Sequence, residues 1–173
     1  MGTPIREIID QHAGGMRAGF QLKGFLPGGG STDFLVPEHL DLAMDYNVIG
    51  AAGSRMGTGT MIILDDRTCP VGMVLNLIRF FAQESCGFCT PCRDGLPWSR
   101  QVLEDIENGA GRSEDLETLA YQVKYIGAIG NTHCALAPGA MEPLQSALKY
   151  FYDDFVRHVN GGQCPYHNNT GAS

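Results

Sequence analysis

This chain is short of charge, of basic runs and of long apolar stretches. Only 18% of its residues are charged, somewhat under the usual share for a globular domain, which points to surfaces covered by partners. Lys and Arg number 12 against 19 Asp and Glu, a net charge of −7. Nowhere do the basic residues cluster, which argues against nucleic-acid binding and against a hold on anionic lipid. No apolar run approaches the roughly 20 residues that span a bilayer, so direct membrane insertion is not expected. No charged-then-apolar leader opens the sequence, and Arg6 stands where a myristoylation signal wants Ser or Thr. The six cysteines therefore read as thiols of a reducing cytoplasm, not as a disulfide framework. A Ser/His/Asp constellation is also missing, and the paired acids Asp65-Asp66, Glu104-Asp105 and Asp153-Asp154 read as solubilising.

What the chain does have is concentrated in Glu84–Gly95, ESCGFCTPCRDG. Cys86, Cys89 and Cys92 follow one another at C-x-x-C-x-x-C spacing, and Cys134 comes after a long helical excursion. Three thiolates so close together can each hold a different iron of a cubane, and a remote Cys closes the fourth corner of a 4Fe-4S site. Zinc more often pairs its ligands two and two in separated knuckles. His133 could in principle replace a Cys, but with Cys134 adjacent it reads as a neighbour of the site. A thioredoxin-type redox pair lacks its strand-to-helix context and gives the third Cys no role. Arg93 either sets a positive charge against the cluster or pairs with Asp94 or Glu84. Cys69, ahead of Pro70, reads as a small buried apolar residue. Cys164 reads as an accidental free thiol in a polar tail.

At 173 residues the chain has room for one ordinary core or two small ones. Thr3 as N-cap, Pro4 at the first helical position and Gly14-Gly15 as a stop predict an opening helix, with Ile5, Ile8, Ile9 and His12 on one face. Gln21–Leu26, Asp33–Val36 and Met61–Leu64 read as short strands, with a Pro27–Gly30 turn. Gly53–Gly59 lacks the Lys-Ser/Thr of a phosphate loop, and its glycines suggest close backbone approach to another chain or domain. From Val71 the period becomes helical. The first stripe is Val71, Val74, Leu75, Ile78, Phe81 and Ala82. Trp98, Val102, Leu103 and Ile106 mark a second helix. A third is capped by Ser113 and buries Leu116, Leu119, Ala120, Val123 and Ile126. A fourth runs unbroken from about Met141 through Leu144, Leu148, Phe151, Tyr152, Phe155 and Val159. The expected fold class is α+β: a small module over residues 1–66, an antiparallel four-helix bundle over 67–160 carrying the cluster between loops at one end, and a polar tail over 161–173.

The cysteine segment, with Cys134 ahead of APGAMEPLQSALKYF, resembles the C-terminal part of the flavoprotein (F) subunit of bacterial NADH:quinone oxidoreductase, complex I. MGTPIREIIDQHAGGMR and GSRMGTGT are similar to that family's ubiquitin-like β-grasp (SLBB) domain, and the helical part is similar to its iron–sulfur bundle. The likeness runs to about Val159. It implies that Cys86, Cys89, Cys92 and Cys134 ligate the 4Fe-4S cluster that takes electrons from FMN. It also implies partners in the flavin/NADH-binding domain and the other subunits of the NADH dehydrogenase module, and a place peripheral on the cytoplasmic side of the inner membrane. The chain opens at MGTP, so the FMN and NAD site and the first β-grasp strands are expected to lie outside it. Alone it is expected to relay electrons and not to oxidise NADH. Two alternatives stand beside this reading: the equivalent subunit of an NAD-linked formate dehydrogenase or hydrogenase, and a structural zinc docking module.

Overall fold

The computed structural model describes residues 1–166. It is a helix-rich chain with one small antiparallel sheet, divided into two compact units, residues 1–68 and the remainder from Cys69.

In the first unit, α1 (Ile5–Glu7) widens into a π-helical turn over Ile8–His12, with Ala13 N–H donating to the Ile8 carbonyl. The cap falls one residue later than the sequence predicts. Pro4 is the extended N-cap, and no side chain caps the helix. Gly14 and Gly15, at φ +84° and +75°, supply the predicted stop. Strand β1 (Leu22–Leu26) pairs with β2 (Ile62–Asp65), with Phe25 opposite Ile63 and an irregularity between Leu22 and Gly24. The predicted strand at Asp33–Val36 shrinks to a single bridge in which Phe25 and Leu35 exchange both backbone hydrogen bonds. A short α2 (Tyr46–Ala51), capped by Asp45, lay outside the sequence expectation. Ile5, Ile9, Phe25, Leu35, Met44 and Ile49 form the core. Within Gly53–Gly59, Gly57 serves a close approach, but its partner is this unit's own Gly28. A Cβ on Gly57 would lie 2.4 Å from the Gly28 carbonyl oxygen.

The second unit is helical. Cys69 caps α3 (Pro70–Gln83), its sulfur accepting the Gly72 N–H at 3.2 Å, with Pro70 opening the first turn. After a one-turn α4 (Thr90–Arg93) come α5 (Gly95–Glu107) and α6 (Ser113–Ile126). The last predicted helix starts earlier, at Leu136, and breaks at Phe151 (φ −122°, ψ 24°) into α7 (Leu136–Tyr150) and α8 (Tyr152–Gly161). Helix α3 packs on α5 and α7, α6 packs on the same two, and α8 touches all four. Because α5 begins at Gly95, the inward positions fall to Leu96, Ser99, Val102, Leu103 and Ile106, and Trp98 turns outward at 55% exposed. Ser99 donates 2.7 Å to the Gln122 amide oxygen, a buried polar link between α5 and α6. Among the described residues no helix is long and apolar enough to cross a membrane.

Candidate metal centre

The cysteine loop begins where α3 runs out at Gln83. Gly87 turns the chain at φ +79°, a conformation that L side chains resist. Ser85 is the hinge pin of this turn: its Oγ accepts the Gly87 N–H at 3.3 Å and lies 3.1 Å from Cys92 Sγ. Pro91 sits in the first turn of α4, and Cys89 immediately precedes that helix in extended conformation, its sulfur taking no part in the cap. Cys92 sits within α4 and is buried, Cys89 is half-buried, and Cys86 and Cys134 are exposed. All six cysteines of the chain are free thiols.

The other half of the site comes from the loop between α6 and α7. Gly130, at φ +99°, turns it, and Asn131 ties it back by donating 2.7 Å to the Tyr125 carbonyl. Thr132 Oγ1 donates to the Cys134 carbonyl at 2.9 Å. The His133 backbone N–H then donates to Cys89 Sγ at 3.3 Å, a contact across 44 positions of sequence. The His133 ring meets Phe88 edge-on, centroids 5.1 Å apart. Both contacts seat the residue next to Cys134 on the C-x-x-C-x-x-C loop. His133 thus acts through its backbone on one ligand candidate and through its ring on the loop's cover.

The chemistry of the donor set fits an iron–sulfur cluster. The candidates are sulfurs only, and one already accepts a backbone N–H, the kind of hydrogen bond that stabilises thiolate and sulfide charge. Arg93 resolves in favour of a local pair: its guanidinium donates to the Asp94 carboxylate at 3.1 and 3.2 Å and to the Gly87 carbonyl at 3.2 Å. The hydrogen bond to Asp94, then its charge, raises the Arg93 pKa.

Two cysteines lie where the sequence did not place them. Cys164, expected in a loose tail, is 1% exposed. Cys69 is not an apolar bystander, for its sulfur lies 3.4 Å from Glu107 Oε2 and 3.3 Å from His158 Nε2. Of the tail expected over 161–173, the stretch 167–173 lies outside the described residues. The one advance signal was the pair of Cys-Pro dipeptides, Cys69-Pro70 and Cys164-Pro165.

Residues 72–158 match the family model described as the NADH-ubiquinone oxidoreductase-F iron-sulfur binding region. Cys86, Cys89, Cys92 and Cys134 all fall inside that stretch, whereas Cys69 and Cys164 fall outside it. Over 154 residues the chain is 53% identical to the F subunit of NADH-quinone oxidoreductase from Escherichia coli (strain K12), covering 89% of this chain and 34% of that protein. Against the corresponding protein of Mycobacterium tuberculosis it is 45% identical over 166 residues, covering 96% and 37%. The chain thus spans about a third of the length of these curated relatives. Among solved structures, an NAD+-reducing [NiFe]-hydrogenase in the H2-reduced state aligns with a TM-score of 0.74 at 27% identity, over 95% of this chain and 26% of that one. With the cysteine loop, the Cys134 loop and the matched stretch coinciding, the chain belongs to the NADH-ubiquinone oxidoreductase-F iron-sulfur binding region family.

Proposed function

We propose that Cys86, Cys89, Cys92 and Cys134 hold a 4Fe-4S cluster and that the chain serves as an electron relay in the NADH dehydrogenase module of a respiratory NADH:quinone oxidoreductase. The observation that carries this reading is the hydrogen bond from His133 to Cys89 Sγ, which seats the neighbour of the distal cysteine on the triple-cysteine loop. A cluster with all four irons held by Cys supplies one-electron transfer and no open coordination site. The chain's own residues do the rest. Ser85 and Gly87 shape the loop, Pro91 fixes the step from Cys89 to Cys92, and the His133 N–H donates a hydrogen bond to the Cys89 sulfur. Electrons arrive from FMN, reduced by NADH, on a flavin/NADH-binding domain, and leave to other subunits of the module on the cytoplasmic side of the inner membrane.

In this reading α3, α5, α6 and α7 are an antiparallel four-helix bundle with α8 laid across it, and residues 1–66 are part of a ubiquitin-like β-grasp. The likeness to the NAD+-reducing hydrogenase favours one second reading, the equivalent subunit of such a hydrogenase. Co-purification separates the two: a quinone-reducing module supports the first, a [NiFe] subunit the second. For the cluster itself, anaerobically purified Cys89→Ser is expected to be colourless, while Cys164→Ser keeps its visible absorbance. Colour retained without Cys89, or lost without Cys164, would refute the ligand assignment.

A further inference from the structure

A second group of ligating side chains lies at the opposite end of α3 from the cysteine loop. Cys69 caps the first turn of that helix and Cys86 follows its last. Fourteen residues of α-helix put about 21 Å between those ends. At the Cys69 end, one ligand atom each from Cys69, Glu107, His158 and Cys164 lies within 4.8 Å of all the others. We propose that these four side chains form a structural zinc site that clamps the start of α3 to the ends of α5 and α8.

Three of the four ligand atoms are spaced like one face of a tetrahedron, and the Cys164 sulfur lies within 4.8 Å of each. Zinc bonds of about 2.0–2.3 Å set neighbouring ligand atoms about 3.3–3.8 Å apart. Here Cys69 Sγ is 3.3 Å from His158 Nε2 and 3.4 Å from Glu107 Oε2, and Nε2 is 3.2 Å from Oε2. The imidazole is held as a metal ligand is held. His158 is wholly buried, and its Nδ1 lies 2.6 Å from the Asp154 carbonyl oxygen, which can only accept. Nδ1 therefore carries the hydrogen, and in the neutral ring the lone pair of Nε2 faces inward. A lone pair and a carboxylate oxygen 3.2 Å apart repel unless a cation, a proton or a metal ion, stands between them.

The sulfurs are prepared in the same way. Cys69 Sγ accepts the Gly72 N–H at the start of α3, and Cys164 Sγ accepts the Tyr166 N–H. Each N–H favours thiolate. Burial pushes both thiols up, so without a cation in place the sulfurs keep their protons. The four ligand atoms face one another in a single cluster, all within 4.8 Å. Zn2+ entering it would displace the protons and meet two thiolates, one carboxylate and one neutral imidazole. The backbone frames this corner tightly: a Cβ on Gly109, just beyond Glu107, would fall 1.9 Å from the Gly162 carbonyl oxygen, just before Cys164.

Metal analysis of the full chain, purified anaerobically from zinc-supplemented medium, tests the site without any activity. About one zinc per chain is expected, and its X-ray absorption should report two sulfurs, one nitrogen and one oxygen. Cys164→Ser and His158→Ala are each expected to cut the zinc at least about tenfold with the iron unchanged. Cys89→Ser should do the reverse, removing iron and leaving zinc. If the variants fail to fold, the wild-type absorption spectrum decides alone. A zinc-free wild type, a zinc with four sulfurs, zinc that survives both variants, or a Cys69–Cys164 disulfide found by mass mapping would overturn the proposal. Loss of the cluster reading alone would show as a chain with zinc and no iron.

Discussion

The two groups of cysteines differ in the company their sulfurs keep. Cys86, Cys89 and Cys92 share one short segment, the last of them inside α4, and the segment of Cys134 is seated on it through a backbone N–H and one aromatic contact. Two of those four sulfurs are exposed. Cys69 and Cys164 instead meet a carboxylate and an imidazole, with Cys164 and His158 closed off from solvent. An all-sulfur donor set suits a polarisable cluster that exchanges electrons near the surface. A mixed set of half-buried and buried donors at helix ends suits a closed-shell ion that only holds helices together. In the proposed reading, one unit of about a hundred residues holds a site for electron traffic and a site for rigidity, separated by the length of α3.

Mutations sharpen this contrast in order of size. The largest effect is expected from Cys134→Ser, which should abolish bound iron while leaving zinc and the helical circular dichroism in place. Loss of both metals together would merge the two sites into one. Next comes Gly109→Ala. Its Cβ meets the Gly162 carbonyl and its φ of +79° disfavours any side chain, so a loss of about 3 kcal/mol or more is expected in denaturant unfolding. That loss should fall on zinc retention before iron retention. Phe88→Ala removes a ring that is 73% exposed and meets the His133 ring edge-on. An aromatic pair worth about 0.5–1.5 kcal/mol corresponds to iron release roughly two- to tenfold faster under a chelator, with zinc unaffected. Arg93→Gln should matter least. Its charge is already matched by Asp94, so the reduction potential should fall only slightly in a redox titration, and a large shift would mean that Arg93 acts on the cluster directly.

How much of this was legible in sequence follows from how far apart the cooperating residues lie. Four ligand candidates, three of them within seven positions, announce themselves by spacing, and the family match covers all four. The second site has no such spacing: Cys69 and His158 are 89 positions apart, and only folding brings them together. The helices were readable from their apolar stripes, but their phases and ends were less so. By spacing alone Trp98 belongs to a buried stripe, but α5 starts at Gly95 and gives the inward positions to Leu96 and Ser99. The stripe has apolar or aromatic residues on both sides of the α7–α8 break, Phe151 and Phe155 buried and Tyr152 half exposed, so periodicity could not see the break. Gly57 advertised a close approach without naming its partner, and Gly28, in the turn after β1, was as near as the same sheet. Asp33–Val36 had strand composition but found one pairing residue instead of a ladder.

The most direct test of the central claim is iron and acid-labile sulfide analysis of the anaerobically purified chain, read beside the electron paramagnetic resonance of its reduced form. About four irons and four sulfides per chain with a single reducible centre are expected. A colourless protein without labile sulfide, its Cys86, Cys89, Cys92 and Cys134 sulfurs gathered on zinc, would contradict the account.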